Sequence, residues 1–166
     1  MELNYANANK LLCQEFAEMK AAYDSDLEEY EDGTENTCYT LYESEFERFI
    51  LRHLKANDRP MLEKIFAFLE RLMESGDHLL TNMVGVAITE SLYFDGACDD
   101  YRDALFEHCG EKTLGSFYEC LPDEDKAEWQ RLRPGLRGFY ESLSDEDQAE
   151  YTRQNRAGYS GQEKTP

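Results

Sequence analysis

The stretch from Asp58 to Phe94 constrains the fold most strongly, because it has the pattern of two helices joined by a tight turn. Asp58 is a suitable N-cap, and Pro60 falls in the first helical turn, where its missing N–H costs nothing. Ser75-Gly76 ends this first helix, since glycine suits the left-handed position that follows a helix. Its apolar residues recur at three- and four-residue spacing and therefore share one face: Leu62, Ile65, Phe66, Leu69, Leu72 and Met73.

A second amphipathic helix follows the turn, with Asp77 as its cap and Asp95-Gly96 at its end. Because the connecting loop is short, we expect the two helices to be antiparallel neighbours whose apolar faces meet. The sequence therefore predicts a central antiparallel helical hairpin on which the rest of the chain packs. The buried stripe of the second helix is predicted to be Leu80, Val84, Ala87, Ile88 and Leu92.

The other segments also follow the helical period, and no strand-like alternation of useful length occurs. Thr40 and Glu43 have the spacing of a capping box at the start of one further helix. We predict an all-α fold, a single-domain helical bundle over residues 1–156 with its core in residues 1–110 and about five to eight helices. Two more of these helices are predicted at Ala6 to Tyr23 and at Asp99 to Cys109.

An internal repeat occupies the C-terminal part of the chain. Residues 114–133 and 136–155, aligned at an offset of 22, are identical at eleven of twenty positions. Each unit has the pattern of a short helix followed by a second helix, which begins near Pro122 or Ser144 with acidic residues in its first turn. Two units are too few for a solenoid, so we expect a small helical appendage packed on the core. Residues 157–166 are polar and are predicted to be a frayed tail.

The charge balance limits the partners that the chain can bind. It has 36 acidic and 17 basic residues and a net charge of −19. Such a field repels nucleic acid, whose binding depends on Lys and Arg neutralising phosphates, and it disfavours anionic membrane surfaces. We therefore expect a basic protein as the partner, and neither nucleic acid nor a membrane.

The five cysteines indicate the compartment. Their number is odd and no CxxC pair occurs. The N-terminus lacks the basic and apolar regions of a signal peptide, and no apolar run is long enough to span a membrane. We expect a soluble cytoplasmic protein with free thiols, in which Cys98, Cys109 and Cys120 are mostly buried small apolar residues.

No catalytic or ligand-binding motif stands out in the sequence. The patterns HExxH, GxSxG and GxGxxG are absent, and the three histidines lack the spacing of metal ligands. The acidic residues from Asp24 to Glu35 fall on the positions of a calcium loop, but Glu29 stands where such a loop needs glycine. We therefore expect a binding protein and not an enzyme, with no cofactor, no metal and no catalytic residues.

The candidate partner-binding surface combines acidic residues with tyrosines, which are enriched at protein interfaces. No Lys or Arg occurs between Lys20 and Arg48, so the acidic segment has no counter-charge in the sequence around it. The repeated acidic triplets at 123–125 and 145–147 compete for the same role, but they fall in first helical turns and complement the helix dipole there. The residues predicted to contact the partner are Asp24, Asp26, Glu28, Glu29, Tyr30, Glu31, Asp32, Glu35, Tyr39 and Tyr42.

The segment from Met61 to Asp95 resembles a family of small helical bacterial domains that are often encoded beside polymorphic or contact-dependent toxins. The shared pattern is an apolar residue followed by Glu, a Ser-Gly-Asp turn, an Asn, and then an apolar residue followed by Glu-Ser-Leu. The positions that match it are Glu70, Gly76, Asp77, Asn82, Glu90 and Leu92.

The resemblance implies an immunity protein, a cytoplasmic inhibitor that protects the producing cell and its siblings. We expect its partner to be a basic cognate toxin domain, a nuclease or an ADP-ribosyltransferase-like enzyme, whose active site it occludes. A nucleic-acid-mimicking regulator that blocks a basic DNA-binding protein is the alternative from another class, and an enzyme is a third. The resemblance supplies no catalytic residues, and Glu70 and Glu90 are open to an interface role or a structural one.

Overall fold

The computed structural model describes residues 2–29 and 38–160 of the 166-residue chain. Within these ranges the chain forms α-helices, two π-helical segments and two short 3-10 turns, and no strand. This confirms the prediction of an all-α single domain. None of the described helices is long and apolar enough to cross a membrane.

The N-terminal helix bends where the sequence predicts one continuous helix. A 3-10 turn at Tyr5–Asn7 leads into α1 (Ala8–Glu15), and α2 (Met19–Glu29) follows. Between them Phe16 adopts an extended backbone with φ −126° and ψ 99°. This bend carries the Phe16 ring into the core, where only 1% of the residue is exposed. Because α2 runs to Glu29, the first half of the acidic segment is helical and not a calcium-loop turn.

The next helix contains the first π segment (Leu41–Phe46), which lies between α3 (Cys38–Thr40) and α4 (Glu47–Ala56). The predicted capping box at Thr40 is wrong, because this residue has helical dihedral angles of −60° and −47° and makes no side-chain cap. Its carbonyl instead accepts a hydrogen bond of 2.6 Å from the Ser44 hydroxyl.

The central stretch forms α5 (Arg59–Met73), α6 (His78–Val84), the second π segment (Gly85–Glu90) and α7 (Ser91–Phe94). The local signals act as the sequence predicts. Asp77 Oδ1 accepts hydrogen bonds from the first backbone N–H groups of α6, at 2.9 and 3.1 Å. The left-handed φ of 77° at Gly76 shapes the turn before it. The sequence signals did not predict the second π segment, because its apolar spacing also fits an α-helix.

Five further helices complete the fold, and their bounds depart from the prediction in two ways. The predicted helix from Asp99 to Cys109 is divided at Tyr101, where φ is −127°. The two repeat units also differ, because only a 3-10 turn at Tyr140–Ser142 precedes the last helix in the second unit. These helices are α8 (Ala97–Asp100), α9 (Arg102–His108), α10 (Glu111–Cys120), α11 (Asp123–Leu132) and α12 (Asp145–Ser160).

Such divisions give twelve α-helical segments in the described ranges, more than the five to eight helices expected. The last of them continues past Ala157, where the sequence predicts a frayed tail, and residues 161–166 lie outside the described part of the chain.

Helix α10 lies in the core and does not belong to a peripheral appendage. Leu114 and Phe117 are 0% exposed and join the same apolar cluster as the central helices. The approach of the following segment is close, since a Cβ at Gly115 would lie 2.8 Å from the carbonyl oxygen of Arg137. Glycine at this position therefore allows the chain to pack directly on α10.

The N-terminus of α10 is capped by a side chain from another helix. Its own N-cap residue, Gly110, has no side chain, and Glu70 of α5 takes that role. The Glu70 carboxylate accepts hydrogen bonds from Lys112 N at 2.8 Å, Thr113 N at 2.8 Å and Thr113 Oγ1 at 2.7 Å. A carboxylate at a helix N-terminus satisfies orphan N–H groups and complements the helix dipole.

Replacing Glu70→Ala should destabilise the fold by about 2 kcal/mol, because several charge-assisted hydrogen bonds and the cap of α10 are lost. Urea denaturation followed by circular dichroism measures this change. Glu63→Ala is the matched control, since it removes an exposed glutamate from the same helix and should change the free energy of unfolding little.

A second substitution tests the same contact from the other side. A Cβ at Gly110 would lie 2.2 Å from Glu70 Cδ, so Gly110→Ala should displace the carboxylate and destabilise the fold on its own. In the double variant with Glu70→Ala the clash is gone, and the combined loss should be smaller than the sum of the single losses. Strict additivity would contradict a direct contact between the two residues.

Candidate functional site

Tyr42 is a core residue, which corrects its prediction as an interface anchor. The residue is 0% exposed, and its hydroxyl donates a 2.9 Å hydrogen bond to the carbonyl of Ala8. Its ring packs edge-on against Phe46 at a centroid distance of 5.7 Å. The four-residue spacing of Tyr42 and Phe46, continued by Ile50, is a sequence signal that places all three on one buried face.

The other predicted interface residues divide into four groups. Asp24 is exposed and pairs with Lys20 at 2.8 Å, so this acid has a counter-charge one helical turn away. Tyr39 is half-buried, and its hydroxyl accepts a 2.9 Å hydrogen bond from Asn82 Nδ2. Asp26, Glu28 and Glu29 belong to α2. The last four, Tyr30, Glu31, Asp32 and Glu35, fall outside the described residues.

Most residues of the motif that carries the family resemblance have a structural role. Asp77 caps α6 and also accepts a 2.7 Å hydrogen bond from Tyr5 N, which holds the N-terminus. Asn82 joins α3 to α12, since its amide donates to Tyr39 and its carbonyl oxygen accepts from the Tyr151 hydroxyl at 3.3 Å. Leu92 is 0% exposed.

Glu90 is the motif residue without such a role. It is exposed at the end of the second π segment, and no ion pair or hydrogen bond joins its side chain to the described residues. It lies at a cavity of about 330 Å³ whose lining residues come from α5, α6, the second π segment, α7, α10 and α12, together with Phe139. We call this cavity the acidic groove. Its lining includes the carboxylates of Glu90 and Glu119 and the aromatic rings of Tyr93, Phe94, Phe139 and Tyr151.

The inner side of the acidic groove is held by a buried hydroxyl pair. Thr89 Oγ1 donates to the carbonyl of Gly85 at 2.8 Å, a carbonyl of the same π-helical turn. Its oxygen also lies 2.7 Å from Ser116 Oγ of α10. Because the Thr89 proton is already used, the Ser116 hydroxyl is the donor in that contact. These bonds fix the widened turn against α10, and π-helical turns often mark functional sites.

Two titratable side chains, those of Glu119 and Cys120, line the acidic groove on the α10 side. Burial raises the pKa of Glu119, and the hydrogen bond from Tyr140 N at 2.6 Å opposes that rise. Burial, followed by the charge of Glu90, raises the pKa of the Cys120 thiol to about 11. This thiol is therefore protonated at neutral pH and is a poor nucleophile.

Three further cysteines, Cys13, Cys98 and Cys109, are also free thiols whose pKa is raised mainly by burial. Cys98 and Cys109 are buried and Cys120 is half-buried, in agreement with the prediction that these three are mostly buried small apolar residues. Cys13 is half-buried. Among the described residues, no group of three or more His, Cys, Asp or Glu side chains is arranged to hold a metal ion.

One buried carboxyl, Glu47 of α4, has a strongly shifted pKa. Burial, then the hydrogen bond and charge of Asp95, raise this pKa to about 7. The residue is 5% exposed, and its Oε1 atom has no hydrogen-bond partner among the described residues. Such a group can serve as a general acid or base, but Glu47 does not line the acidic groove. We therefore treat it as a pH-dependent element of the fold.

Glu47 should make the fold less stable as the pH rises through neutrality. Between its ordinary pKa of 4.5 in the unfolded chain and about 7 in the fold, only the folded state keeps the proton, so raising the pH favours unfolding. Glu47→Gln imitates the protonated acid and should flatten the decline of the melting temperature between those pH values.

The control for this measurement is Glu43→Gln, which removes the charge of an exposed glutamate from the preceding turn. It should leave the pH profile of the melting temperature close to that of the parent. Equal profiles for the parent and Glu47→Gln would contradict a buried carboxyl that titrates near neutrality.

Comparison with known proteins places the chain in a family without giving it an activity. No curated protein and no solved structure matches it. A family model described as a domain of unknown function (DUF7674) matches residues 9–146. This span covers most of the chain, and the protein therefore belongs to the DUF7674 family.

Proposed function

We propose that the protein is an immunity protein, an acidic inhibitor that binds a basic toxin domain and occludes its active site. The observation that carries this proposal is the distribution of charge. The net charge is −19, and in the described part of the chain at least six of the 17 basic residues pair with carboxylates. These are Lys20, Arg48, Arg59, Arg71, Arg102 and Arg153.

Further basic side chains are also engaged inside the fold. Lys64 donates to the backbone carbonyl of Glu15 at 2.5 Å, and Arg133 donates to that of Phe106 at 3.0 Å. Most surface carboxylates therefore have no basic side chain to neutralise them. This negative charge attracts a basic partner and increases the association rate. A nuclease is the first candidate for that partner, because its nucleic-acid groove is basic; an ADP-ribosyltransferase-like toxin is the second.

The acidic segment 24–35 remains part of this proposal, with Tyr42 removed from the interface. Its role is to steer the partner by charge over distances of about 10 Å, the screening length at 0.1 M salt. Tyr39 stays in the proposed interface, because it is half-buried and lies beside Asn82 of the acidic groove.

Co-expression tests the function. The protein should restore growth to cells that also produce the C-terminal domain of a secreted protein encoded next to it. Purified protein should bind that domain more slowly as the salt concentration rises, because steering between opposite charges is screened. Loss of growth despite soluble inhibitor would contradict the immunity proposal. Inhibition of a DNA-binding protein in place of the toxin would support the nucleic-acid mimic.

Paired variants separate a local effect from the net charge. Glu28→Gln with Glu29→Gln removes two acids from the acidic segment, whereas Glu63→Gln with Glu74→Gln removes two from α5 and its C-cap. If the segment steers the toxin, only the first pair should slow association at low salt. Equal effects of the two pairs would leave total charge, and not this segment, as the cause.

A further inference from the structure

We infer that the acidic groove receives an arginine or lysine side chain of the partner protein, flanked by an apolar residue that packs on Phe94. This inference rests on the proposed function and assigns a docking position to it. The groove is built from described residues.

The size of the groove fits a side chain and not a folded domain. Its volume of about 330 Å³ lies at the lower end of the range of roughly 300–1,000 Å³ for ligand pockets. An extended segment of a partner can therefore place one long side chain inside it while the rest of that segment stays at the rim.

The charges in the groove select a cation. Glu90 and Glu119 both line it, and no Lys or Arg is among the described residues that form its lining. Glu90 has no ion pair within the described part of the chain, so its carboxylate is available to an incoming guanidinium or ammonium group. A guanidinium group suits this position well, because it can form two parallel hydrogen bonds with one carboxylate.

Glu119, unlike Glu90, already has hydrogen-bond and charged partners in the fold. We therefore expect Glu90 to be the primary contact of the incoming cation. The Glu119 carboxylate already accepts from Tyr140 N at 2.6 Å, and it lies in the fields of Glu141 and Lys126. Lys112 lies over the ring of Phe139, a lining residue, and its Nζ atom already donates a 2.9 Å hydrogen bond to Ser142 Oγ. The free acceptor capacity of the groove is therefore concentrated at Glu90.

The aromatic lining supports the same ligand. Rings attract cations over their faces, and cation–π contacts already recur in this fold, as in Lys112 over Phe139 at 5.7 Å. Phe94 is 75% exposed at the rim of the groove, and Val86 is 42% exposed beside it. A large exposed ring next to a charged pocket is typical of an interface anchor.

The test uses the full chain and a small probe, so it does not require the toxin. N-acetyl-arginine amide is titrated into ¹⁵N-labelled protein and followed by NMR. Amide shifts should change at Val86, Thr89 and Glu90, and Glu90→Gln should weaken binding about threefold or more, as the loss of one exposed ion pair does. Glu63→Gln is the matched control and should bind the probe as the parent does.

A second pair of variants tests the apolar rim in the growth assay. Phe94→Ala should reduce protection, whereas Leu132→Ala, which truncates a side chain that is 46% exposed on α11, should not. Both residues are exposed, so both variants should keep the melting temperature of the parent within a few degrees.

The outcomes separate the groove from the proposed function. If the probe binds but the parent protein gives no protection in the growth assay, the inferred cation site is supported and the proposed immunity function is contradicted. If the probe does not bind and both Glu90→Gln and Phe94→Ala still protect cells, the inference that the groove receives a cationic side chain is wrong. The proposed immunity function then remains supported. A dimer that Phe94→Ala dissociates, or NMR contacts between the groove and residues 161–166, would show a different occupant and also overturn the inference.

Discussion

The hydrogen bonds from the N-terminus of α10 to the Glu70 carboxylate are the contact on which the rest of the structure depends. They join Glu70 of α5 to Lys112 and Thr113, which are 42 and 43 residues away in the chain, and they hold α10 inside the core. With α10 in place, its Ser116 hydroxyl meets Thr89 of the second π segment. The acidic groove lies at this junction, so its shape depends on the Glu70 cap that holds α10 in place.

A second set of polar contacts holds the two ends of the chain against the same helices. Asp77 accepts from Tyr5 N, and Asn82 joins Tyr39 to Tyr151 of α12. Because α12 contributes one side of the groove, Asn82 fixes that side relative to the second π segment. Such bonds contribute little energy individually, but they specify one arrangement of otherwise interchangeable apolar helices.

The features that the sequence predicts correctly are local ones. The Asp77 cap, the left-handed Gly76 and the apolar stripe of α5 depend only on neighbouring residues, and each is present in the structure. The bend at Phe16 and the capping role of Glu70 depend on residues far away in the chain, which periodicity cannot identify. The buried position of Tyr42 follows from its spacing with Phe46 and Ile50, a local signal that the interface prediction did not use. The groove combines residues from six helical segments and Phe139, and periodicity within one segment cannot predict such a combination. The sequence motif includes two of its residues, Asn82 and Glu90, and leaves the role of Glu90 open between an interface and the fold.

In the proposed complex, the helical scaffold presents the acidic groove to a basic partner. Hydrogen–deuterium exchange of the protein, alone and with the neighbouring toxin domain, tests this arrangement. We predict slower exchange in the complex over residues 85–94 and 116–120, with little change in α5. Protection confined to α11 and the first turn of α12, with the groove unaffected, would contradict it.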